Sequence, residues 1–404
     1  MARLPNCNGR NISNDISALT VSFLIDISTI STSPNRTNVL LRISEVKFRT
    51  FAAPNTLQSL FVRLQLSNMA EQAIPKQKPF IEQLALRETG ENEYEMINLP
   101  QKMGNPLDIA YGGYAIAVAC KAACLTVPEG YHLYSMQGNY LGPAYTDRPL
   151  RASVRVVRQT RTFATRQVEV SQITNAGKER KDGAKRVCLL ATADFMVAET
   201  SSLLSYSPTP MNNYPNWKDC PTPSSAYSAL VAEGKIPQQM LDYHSKGFNL
   251  LNHLYDQRLC PNAIFAQNLY GIAKHLPHTQ DHLPSSSRTT ADWIRSNEVL
   301  SKPIDHITAL TFLIDTAIAF LPLSFNHRWF DDVSAVSSLD FSLRLFVNEV
   351  DVNGWLLREL RAPVAGQGRS FGEAWIWDEE GKAVACMSQQ SILRPTKNKG
   401  RGKL

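Results

Sequence analysis

An acidic residue inside an apolar stretch is the first feature of the sequence that points to chemistry. Asp315 is the only charged residue between Ala309 and Phe325. A buried carboxylate without partners is expensive, so it should be protonated, paired or hydrogen-bonded. Desolvation raises the pKa of such a group by up to about 3–5 units. Asp315 is therefore a candidate general base, or else a structural side chain that caps nearby amides.

Two polar residues on predicted strands are candidate partners of this carboxylate. Ser338 is expected to begin a strand that continues into Leu339 and Asp340, and Gln389 lies in an otherwise apolar last strand. A hydroxyl and an amide can orient a water molecule toward a carboxylate. Taken singly, each residue is more typical of a hydrogen bond at a strand edge.

A serine motif resembles a nucleophile elbow but lacks its context. Residues 368–372 read G-x-S-x-G around Ser370. That motif requires a helix after the serine and a histidine later in the chain. Here the following residues predict a strand, and the last histidine, His327, precedes the motif. The sequence does not favour a serine hydrolase triad.

A group of histidines faintly suggests a metal site. His275, His278 and His282 are closely spaced, but Pro277 and Pro284 indicate a loop around them. Spacing of this kind is weak evidence by itself. The sequence therefore predicts no metal and no cofactor.

Five arginines follow one another without an intervening acid. Arginine binds phosphate well because its planar fork donates two hydrogen bonds, although a solvated strand face has the same composition. No aromatic residues are interleaved as a stacking platform, which disfavours single-stranded nucleic acid. The net charge of +6 and the pI near 8.9 equally fit a polyanionic small ligand. The arginines are Arg151, Arg155, Arg158, Arg161 and Arg166.

The bulk composition is that of a folded protein of two or three domains, with 404 residues and 43% hydrophobic content. Seven cysteines without a C-x-x-C pair indicate reduced thiols in an intracellular protein. No uncharged apolar run reaches the roughly 18 residues that span a bilayer. Residues 18–30 resemble the apolar part of a signal peptide, but Asp26 interrupts them. The sequence predicts neither secretion nor a membrane span.

The chain divides into five segments with a repeated centre. Each half has early strand material, an apolar helix (110–127 and 309–321) and then four strands, so the sequence predicts a domain duplication. The predicted fold is α+β: a tandem, or double, hotdog, each part a long buried helix wrapped by a curved antiparallel sheet. The segments are a dispensable extension (1–72), a first hotdog (73–200), a linker (201–240), a second hotdog with the catalytic residues (241–396) and a basic tail (397–404).

Across residues 80–395 the motifs resemble those of the acyl-CoA thioesterase II family. AYGGYAIAVACKAA in this chain is similar to the glycine-paired helix of the family. Residues 132–143 and 158–172 resemble the family's HSxHxxFLxPG and RDGxSFxxRxVxxxQ segments. In the second half, TFLIDTAIAFLP, SSLDFSLRLF, WLLRE and ACMSQQSILR resemble its SDxxxLP, S/T-L/I-D-H, WLLYE and ASxxQEGxxR segments. WIRS, residues 293–296, resembles the family's WxR.

The resemblance implies a catalytic trio of Asp315, Ser338 and Gln389, which are the three residues selected above. It implies that they activate a water molecule to hydrolyse acyl-CoA, with helix N-terminal amides and a side-chain donor stabilising the oxyanion, and without a metal or cofactor. Gly112, Gly113, Arg161 and Arg166 are the expected substrate-binding residues. A homodimer is expected, because hotdog proteins commonly pair their sheets.

The sequence departs from the family's pattern at several places. The strand histidine is Phe341, a later histidine is Val347, the glycine of RDG is Thr160, and the Gln-Glu-Gly run is Gln-Gln-Ser. These changes leave the trio intact and put the acyl substrate in doubt. A specialised thioesterase for one acyl chain of a biosynthetic pathway, and a non-hydrolytic acyl-CoA or acyl-carrier binding protein, remain alternatives.

Two further expectations concern a second reaction and the location of the protein. A hydratase of the hotdog type needs a spaced Asp and His, whereas Asp305 and His306 are adjacent, so this reading is disfavoured. Residues 402–404, Gly-Lys-Leu, resemble the S-K-L peroxisomal address, and an unstructured basic tail in a cytoplasmic protein is the alternative.

Overall fold

The computed structural model describes residues 77–105, 107–174 and 184–396. The predicted N-terminal extension (1–72) and the basic tail (397–404) lie outside these residues. In the described part of the chain, the elements are thirteen strands and eight α-helices. The strands are β1 (Leu86–Gly90), β2 (Glu93–Met96), β3 (Tyr131–Tyr140), β4 (Arg151–Gln159), β5 (Phe163–Thr174), β6 (Ala184–Val197), β7 (Tyr255–Leu259), β8 (Thr289–Ser296), β9 (Val333–Ser338), β10 (Asp340–Leu345), β11 (Leu356–Gly366), β12 (Arg369–Trp377) and β13 (Ala383–Pro395). The helices are α1 (Phe80–Gln83), α2 (Gly112–Leu125), α3 (Pro223–Ala232), α4 (Gln238–Gly247), α5 (Asn249–Leu254), α6 (Ile264–Asn268), α7 (Pro303–Ile314) and α8 (Leu321–Phe325).

All the paired strands belong to one antiparallel sheet. Its order is β1-β2-β4-β5-β6-β3-β10-β13-β12-β11-β8-β7, with β9 paired to β13. The two halves of the chain meet where β3 pairs with β10, with Phe341 opposite Gly138 and Leu343 opposite Met136. Among the described residues β1 and β7 are the two ends of this order, so the sheet is not a closed barrel. Each half therefore contributes the strands on one side of a continuous sheet.

Helix α2 is the buried helix of the first half. Ten of its 14 residues are buried, and most of these are alanine or glycine. Such small side chains let α2 and α7 approach closely, as the second glycine of the pair illustrates. A Cβ at Gly113 would lie 2.6 Å from the Phe312 carbonyl oxygen, in the partner helix. Glycine is therefore required here for packing between the two helices.

The second apolar helix is shorter than the sequence pattern predicts. The expectation of one continuous helix over 309–321 is wrong, because α7 ends at Ile314 and Asp315 is its C-terminal cap. Ala317 has a φ of 79°, a left-handed conformation that an α-helix cannot contain. A short 3-10 turn (Ile318–Phe320) and α8 follow. Asp315 thus lies at the end of a helix rather than in its middle.

The strand predicted over 337–346 is divided into two. β9 ends at Ser338 and β10 begins at Asp340, so the expectation that Ser338 begins a strand is wrong. Leu339 at the break donates its N–H to the Gln390 carbonyl at 2.7 Å, and its own carbonyl accepts from the N–H of Tyr140 at 2.8 Å. The break therefore places Ser338 beside β13 while the following residues pair with β3.

The interval predicted as a linker contains ordered structure. Pro223–Ala232 form α3, whose Tyr227 is buried and donates a hydrogen bond to the Phe265 carbonyl at 3.0 Å. Nearer its start, the carbonyls of Pro208 and Pro215 each accept a hydrogen bond at 2.8 Å, from Trp377 and Trp293 respectively. The interval is thus anchored to the outer strands, although the domain boundaries stay a prediction.

One apolar helical stretch of the described residues, Pro303–Phe325, is long and apolar enough to cross a membrane. It contains two acidic residues, so it is not the uncharged run that the sequence analysis sought. Of its most apolar part, 89% is buried inside the protein. That burial is what the core helix of a folded domain shows.

Candidate active site

The carboxylate of Asp315 lies at the meeting point of α7, α2 and the β3–β10 junction. The residue is 7% exposed. Its Oδ1 accepts hydrogen bonds from Nε2 of Gln389 at 2.5 Å and from the hydroxyl of Tyr140 at 3.1 Å. Burial raises the pKa of Asp315 above its ordinary value, while the hydrogen bonds from Gln389, Tyr140 and the N–H of Gly113 oppose that rise. The carboxyl is thus poised as a proton acceptor.

The other two residues of the predicted trio complete a hydrogen-bonded chain. The hydroxyl of Ser338, at the end of β9, donates to Oε1 of Gln389 at 3.1 Å. This bond fixes the orientation of the amide, because an oxygen that accepts from Ser338 leaves the NH2 group directed at Asp315. Gln389 is 1% exposed, so the amide is held between its two partners. The structure therefore brings Asp315, Gln389 and Ser338 together, as the sequence predicts.

The backbone of Gly112 lies directly beside the carboxylate. A Cβ at this position would lie 3.0 Å from Oδ2 of Asp315 and 3.1 Å from the Tyr140 hydroxyl. Gly112, Tyr140 and Ser338 are each half-buried. Gly112 is the first residue of α2, and the amides of this first turn carry partial positive charge. A side chain at Gly112 would therefore press on both the carboxylate and the Tyr140 hydroxyl.

Tyr140 and Tyr111 are site residues that the sequence analysis missed. Both tyrosines belong to the first half of the chain, and their hydroxyls contact the second half. Tyr111 donates to the Phe312 carbonyl at 2.7 Å and lies 2.8 Å from the Thr316 hydroxyl. Burial and the charge of Asp315 raise the pKa of Tyr140 well above its usual range, so its hydroxyl stays neutral. One signal was present in the sequence. Tyr140 stands where the family's HSxHxxFLxPG segment has phenylalanine.

The two arginines expected to bind substrate lie away from this carboxylate. Arg166 is 2% exposed, and its guanidinium donates to the carbonyls of Thr126 and Arg158, each at 2.9 Å. It therefore fastens the end of α2 to the sheet, and the expectation that it binds phosphate is wrong. Arg161 is exposed in the turn between β4 and β5.

A buried ion pair supports the end of α7. Arg358 is fully buried in β11 and donates two hydrogen bonds to Asp292 of β8, at 2.9 and 2.7 Å. A third guanidinium N–H is directed at the Leu313 carbonyl, at 3.5 Å. A cation beside the last carbonyls of a helix is favourable. Because Leu313 precedes Asp315 by two residues, this pair helps to hold the carboxylate in place.

The other sequence motifs do not form a second catalytic centre. Ser370 is buried within β12, and a strand rather than a helix contains it. Asp305 forms an ion pair with Lys121 at 3.2 Å, which leaves no hydratase arrangement with His306. A cavity of about 330 Å³ lies elsewhere, and it contains none of the trio. Its lining is Asn212, Asn213, Tyr214, Pro215, Cys260, Asn262, Thr279, Gln280 and Leu283.

Comparison with known families matches both halves of the chain. Residues 99–196 match the acyl-CoA thioesterase N-terminal domain, and residues 257–393 match the acyl-CoA thioesterase C-terminal domain. Together the two matches cover more than half of the sequence. No curated protein sequence matches the chain.

Solved structures share the architecture. TesB2, an acyl-CoA thioesterase II from Mycobacterium marinum, has a TM-score of 0.55 and 20% identity, over 79% of this chain and 99% of its own. The tesB protein of Mycobacterium avium subs paratuberculosis has a TM-score of 0.54 and 16% identity, over 78% and 98%. A hot dog fold protein of unknown function from Alicyclobacillus acidocaldarius has a TM-score of 0.53 and 19% identity, over 79% and 98%. These likenesses confirm the predicted double hotdog fold.

The chain belongs to the acyl-CoA thioesterase family. Its two halves are the N-terminal and C-terminal domains of that family, and the protein is a thioester hydrolase.

Proposed function

We propose that the protein hydrolyses acyl-CoA thioesters with Asp315 as the general base. The observation that supports this proposal is the convergence of Gln389 and Tyr140 on one oxygen of the buried carboxylate. The second oxygen, Oδ2, lies beside the backbone of Gly112. A water molecule there would donate one hydrogen bond to Oδ2 and direct its lone pair away from the carboxylate.

The reaction follows from this geometry. The water oxygen attacks the thioester carbonyl carbon while Asp315 takes the proton. Amides at the start of α2 that are not already bonded to Asp315 or to the Tyr111 carbonyl stabilise the developing oxyanion. The tetrahedral intermediate then expels the coenzyme A thiolate, which receives the proton held by Asp315. The products are the free carboxylic acid and coenzyme A thiol.

Ser338 and Gln389 act as positioning residues in this mechanism. Ser338 fixes the amide of Gln389, and the amide fixes the carboxylate, so neither side chain exchanges a proton with the substrate. A general base contributes roughly 10²–10⁴-fold to the rate. We therefore expect the Asp315→Asn variant to fold normally and to lose at least about 10²-fold in kcat.

The test is release of free thiol from acyl-CoAs of two to twenty carbons, with the wild type and Asp315→Asn assayed together. Asp351→Asn is the matched control, since the Asp351 side chain is 70% exposed and its loss changes the net charge equally. Unchanged turnover in Asp315→Asn would sink the proposal. If no chain length is hydrolysed while acyl-CoA binds, the protein is a non-hydrolytic binder. Hydrolysis of a single chain length would favour the specialised thioesterase of one pathway.

We further propose a peroxisomal location and a homodimer, with fatty acyl-CoA as the substrate class. The support is the Gly-Lys-Leu sequence, which lies outside the described residues, and the pairing of sheets that is common among hotdog proteins. A fluorescent reporter that carries the last twelve residues tests the location, and a diffuse signal would favour the cytoplasm. Sedimentation of the purified protein tests the dimer, and a monomer at all concentrations would exclude it.

A further inference from the structure

A second cluster of reactive side chains lies away from Asp315. His278 and Asp281 lie in the loop before β8, and His327 follows α8. One nitrogen or oxygen atom from each of the three residues lies within 4.8 Å of the others. Nε2 of His278 is 3.1 Å and Nε2 of His327 is 2.7 Å from the same atom, Oδ1 of Asp281. Two imidazoles and one carboxylate thus converge on one point.

The orientation of His327 determines what its second nitrogen presents. Nδ1 lies 3.2 Å from the carbonyl oxygen of Lys274. A carbonyl only accepts hydrogen bonds, so Nδ1 carries a hydrogen and a neutral ring has its lone pair on Nε2. That lone pair faces the carboxylate of Asp281. Such an arrangement is repulsive unless a cation, either a proton or a metal ion, lies between the two groups.

His278 faces the same carboxylate from a buried position. Its side chain is fully buried, and neither ring nitrogen has a hydrogen-bond partner of good geometry. Burial lowers the pKa of His278 and disfavours the imidazolium. Histidines that bind metals usually donate their other N–H to a backbone carbonyl, as Nδ1 of His327 does to Lys274.

Asp281 is held so that one oxygen is free to bind. Its Oδ2 accepts the backbone N–H of His278 at 3.0 Å, which directs Oδ1 toward the two rings. The side chains of Asp281 and His327 are 37% and 33% exposed, so solvent reaches the open side of the cluster. The guanidinium of Arg288 lies 4.0 Å from Oδ1, and it donates to the carbonyls of Leu283 and Asp281, each at 3.0 Å.

We propose that His278, Asp281 and His327 bind a divalent transition metal ion, with Zn²⁺ as the first choice. Two imidazole nitrogens and a carboxylate oxygen are ligands of this class, whereas Mg²⁺ and Ca²⁺ prefer oxygen alone. Zinc bonds of about 2.0–2.1 Å in a tetrahedral site place ligand atoms about 3.3 Å apart, near the 3.1 and 2.7 Å that separate Oδ1 of Asp281 from the two ring nitrogens. The ion would join the loop before β8 to the segment after α8 and act as a structural clamp.

The experiment titrates the full-length, metal-free protein with Co²⁺, whose visible absorption reports tetrahedral nitrogen and oxygen ligands, and then displaces it with Zn²⁺. We expect one ion per chain and a higher melting temperature with Zn²⁺. His327→Gln, which removes a partly exposed ligand, should weaken binding by at least about tenfold, since even supporting residues of metal sites contribute 10–100-fold.

His282→Gln is the matched control, because His282 is exposed and adjacent to Asp281. It should bind Co²⁺ as the wild type does, and thioesterase activity should be the same in all three proteins. Absence of a stoichiometric Co²⁺ spectrum in the wild type would overturn the proposal and would leave the cluster as a proton-linked ion pair. Equal loss of binding in His282→Gln and His327→Gln would also contradict it.

Discussion

The Tyr140 hydroxyl donates a hydrogen bond to Oδ1 of Asp315 across the boundary between the two halves of the chain, at 3.1 Å. The ring of Tyr140 also contacts Phe341 on the facing strand, with centroids 6.1 Å apart. The family's pattern has phenylalanine in place of Tyr140 and histidine in place of Phe341. Relative to that pattern, the polar ring lies on β3 rather than on β10, and the pair still consists of one polar and one apolar ring.

The variant Tyr140→Phe tests this hydrogen bond. Its effect is measured on the acid limb of the pH profile of kcat/KM, where activity falls as Asp315 becomes protonated. The hydroxyl opposes the rise that burial causes in the pKa of Asp315. Without it, the pKa of the carboxyl should rise further, and the acid limb of kcat/KM should move to higher pH. Loss of a hydrogen bond to a charged group typically costs about 1.5–3 kcal/mol, so activity above the limb should fall by about 10- to 150-fold. A fall in activity without movement of the limb would indicate a structural role instead.

The raised pKa of Asp315 also predicts how stability depends on pH. Between the ordinary value of about 3.9 and the raised value, the folded state binds more protons at this site than the unfolded state does. The contribution of Asp315 to stability therefore falls as pH rises through this window. Urea denaturation of the wild type and of Asp315→Asn at several pH values measures the difference. We expect the variant to become the more stable protein as pH increases, and a constant difference would contradict the raised pKa.

The paired glycines should respond in opposite ways to the same change. In Gly112→Ala the new Cβ would meet Asp315 and the Tyr140 hydroxyl, so catalysis should fall by up to about 10²-fold. Stability should change little, because the two close contacts offset the roughly 0.5–1 kcal/mol by which alanine favours a helix. Kinetics and denaturation measured on the same preparation decide this.

Gly113→Ala is the contrasting variant. Its Cβ would lie 2.6 Å from the Phe312 carbonyl, so the helices must separate and stability should fall by about 1–3 kcal/mol. If Gly112→Ala lost stability and kept activity, the space beside Gly112 would not be the reaction site.

The buried pair of Arg358 and Asp292 should be costly to break. Asp292→Leu leaves the guanidinium buried without its partner, and such a loss typically costs about 3–5 kcal/mol. The double variant Asp292→Leu/Arg358→Met removes both charges and should recover most of that stability. Chemical denaturation of the single and double variants checks the coupling. Additive effects of the two substitutions would mean that the pair contributes little.

The sequence predicted the fold and the trio because both depend on local patterns. The apolar stretch of α2 and the alternation of the strands mark the core, and Gln389 interrupts an apolar strand. The end of α7 was not predictable, since Ala317 adopts its positive φ in a run that hydropathy alone reads as helix. Local strain of this kind costs about 1–3 kcal/mol and is commonly found at functional sites.

The residues missed by the sequence analysis act across long separations. Tyr140 lies 175 positions from Asp315, and Arg358 lies 66 positions from Asp292. A tyrosine at the end of a strand and an arginine within one carry no local sign of such partners. Arg166 shows the converse error, because an arginine in a basic stretch resembles a phosphate ligand until its acceptors within the chain are known.

The pairing of β3 with β10 has a consequence for how this protein could have diverged. One half contributes Asp315, and the other contributes the Tyr140 hydroxyl and the start of α2. The chain is therefore equivalent to a heterodimer whose two subunits are covalently joined, and neither half is expected to be an active enzyme alone. Two fragments divided within 201–240 should regain activity only when mixed, because the edge strand of each is completed by the other.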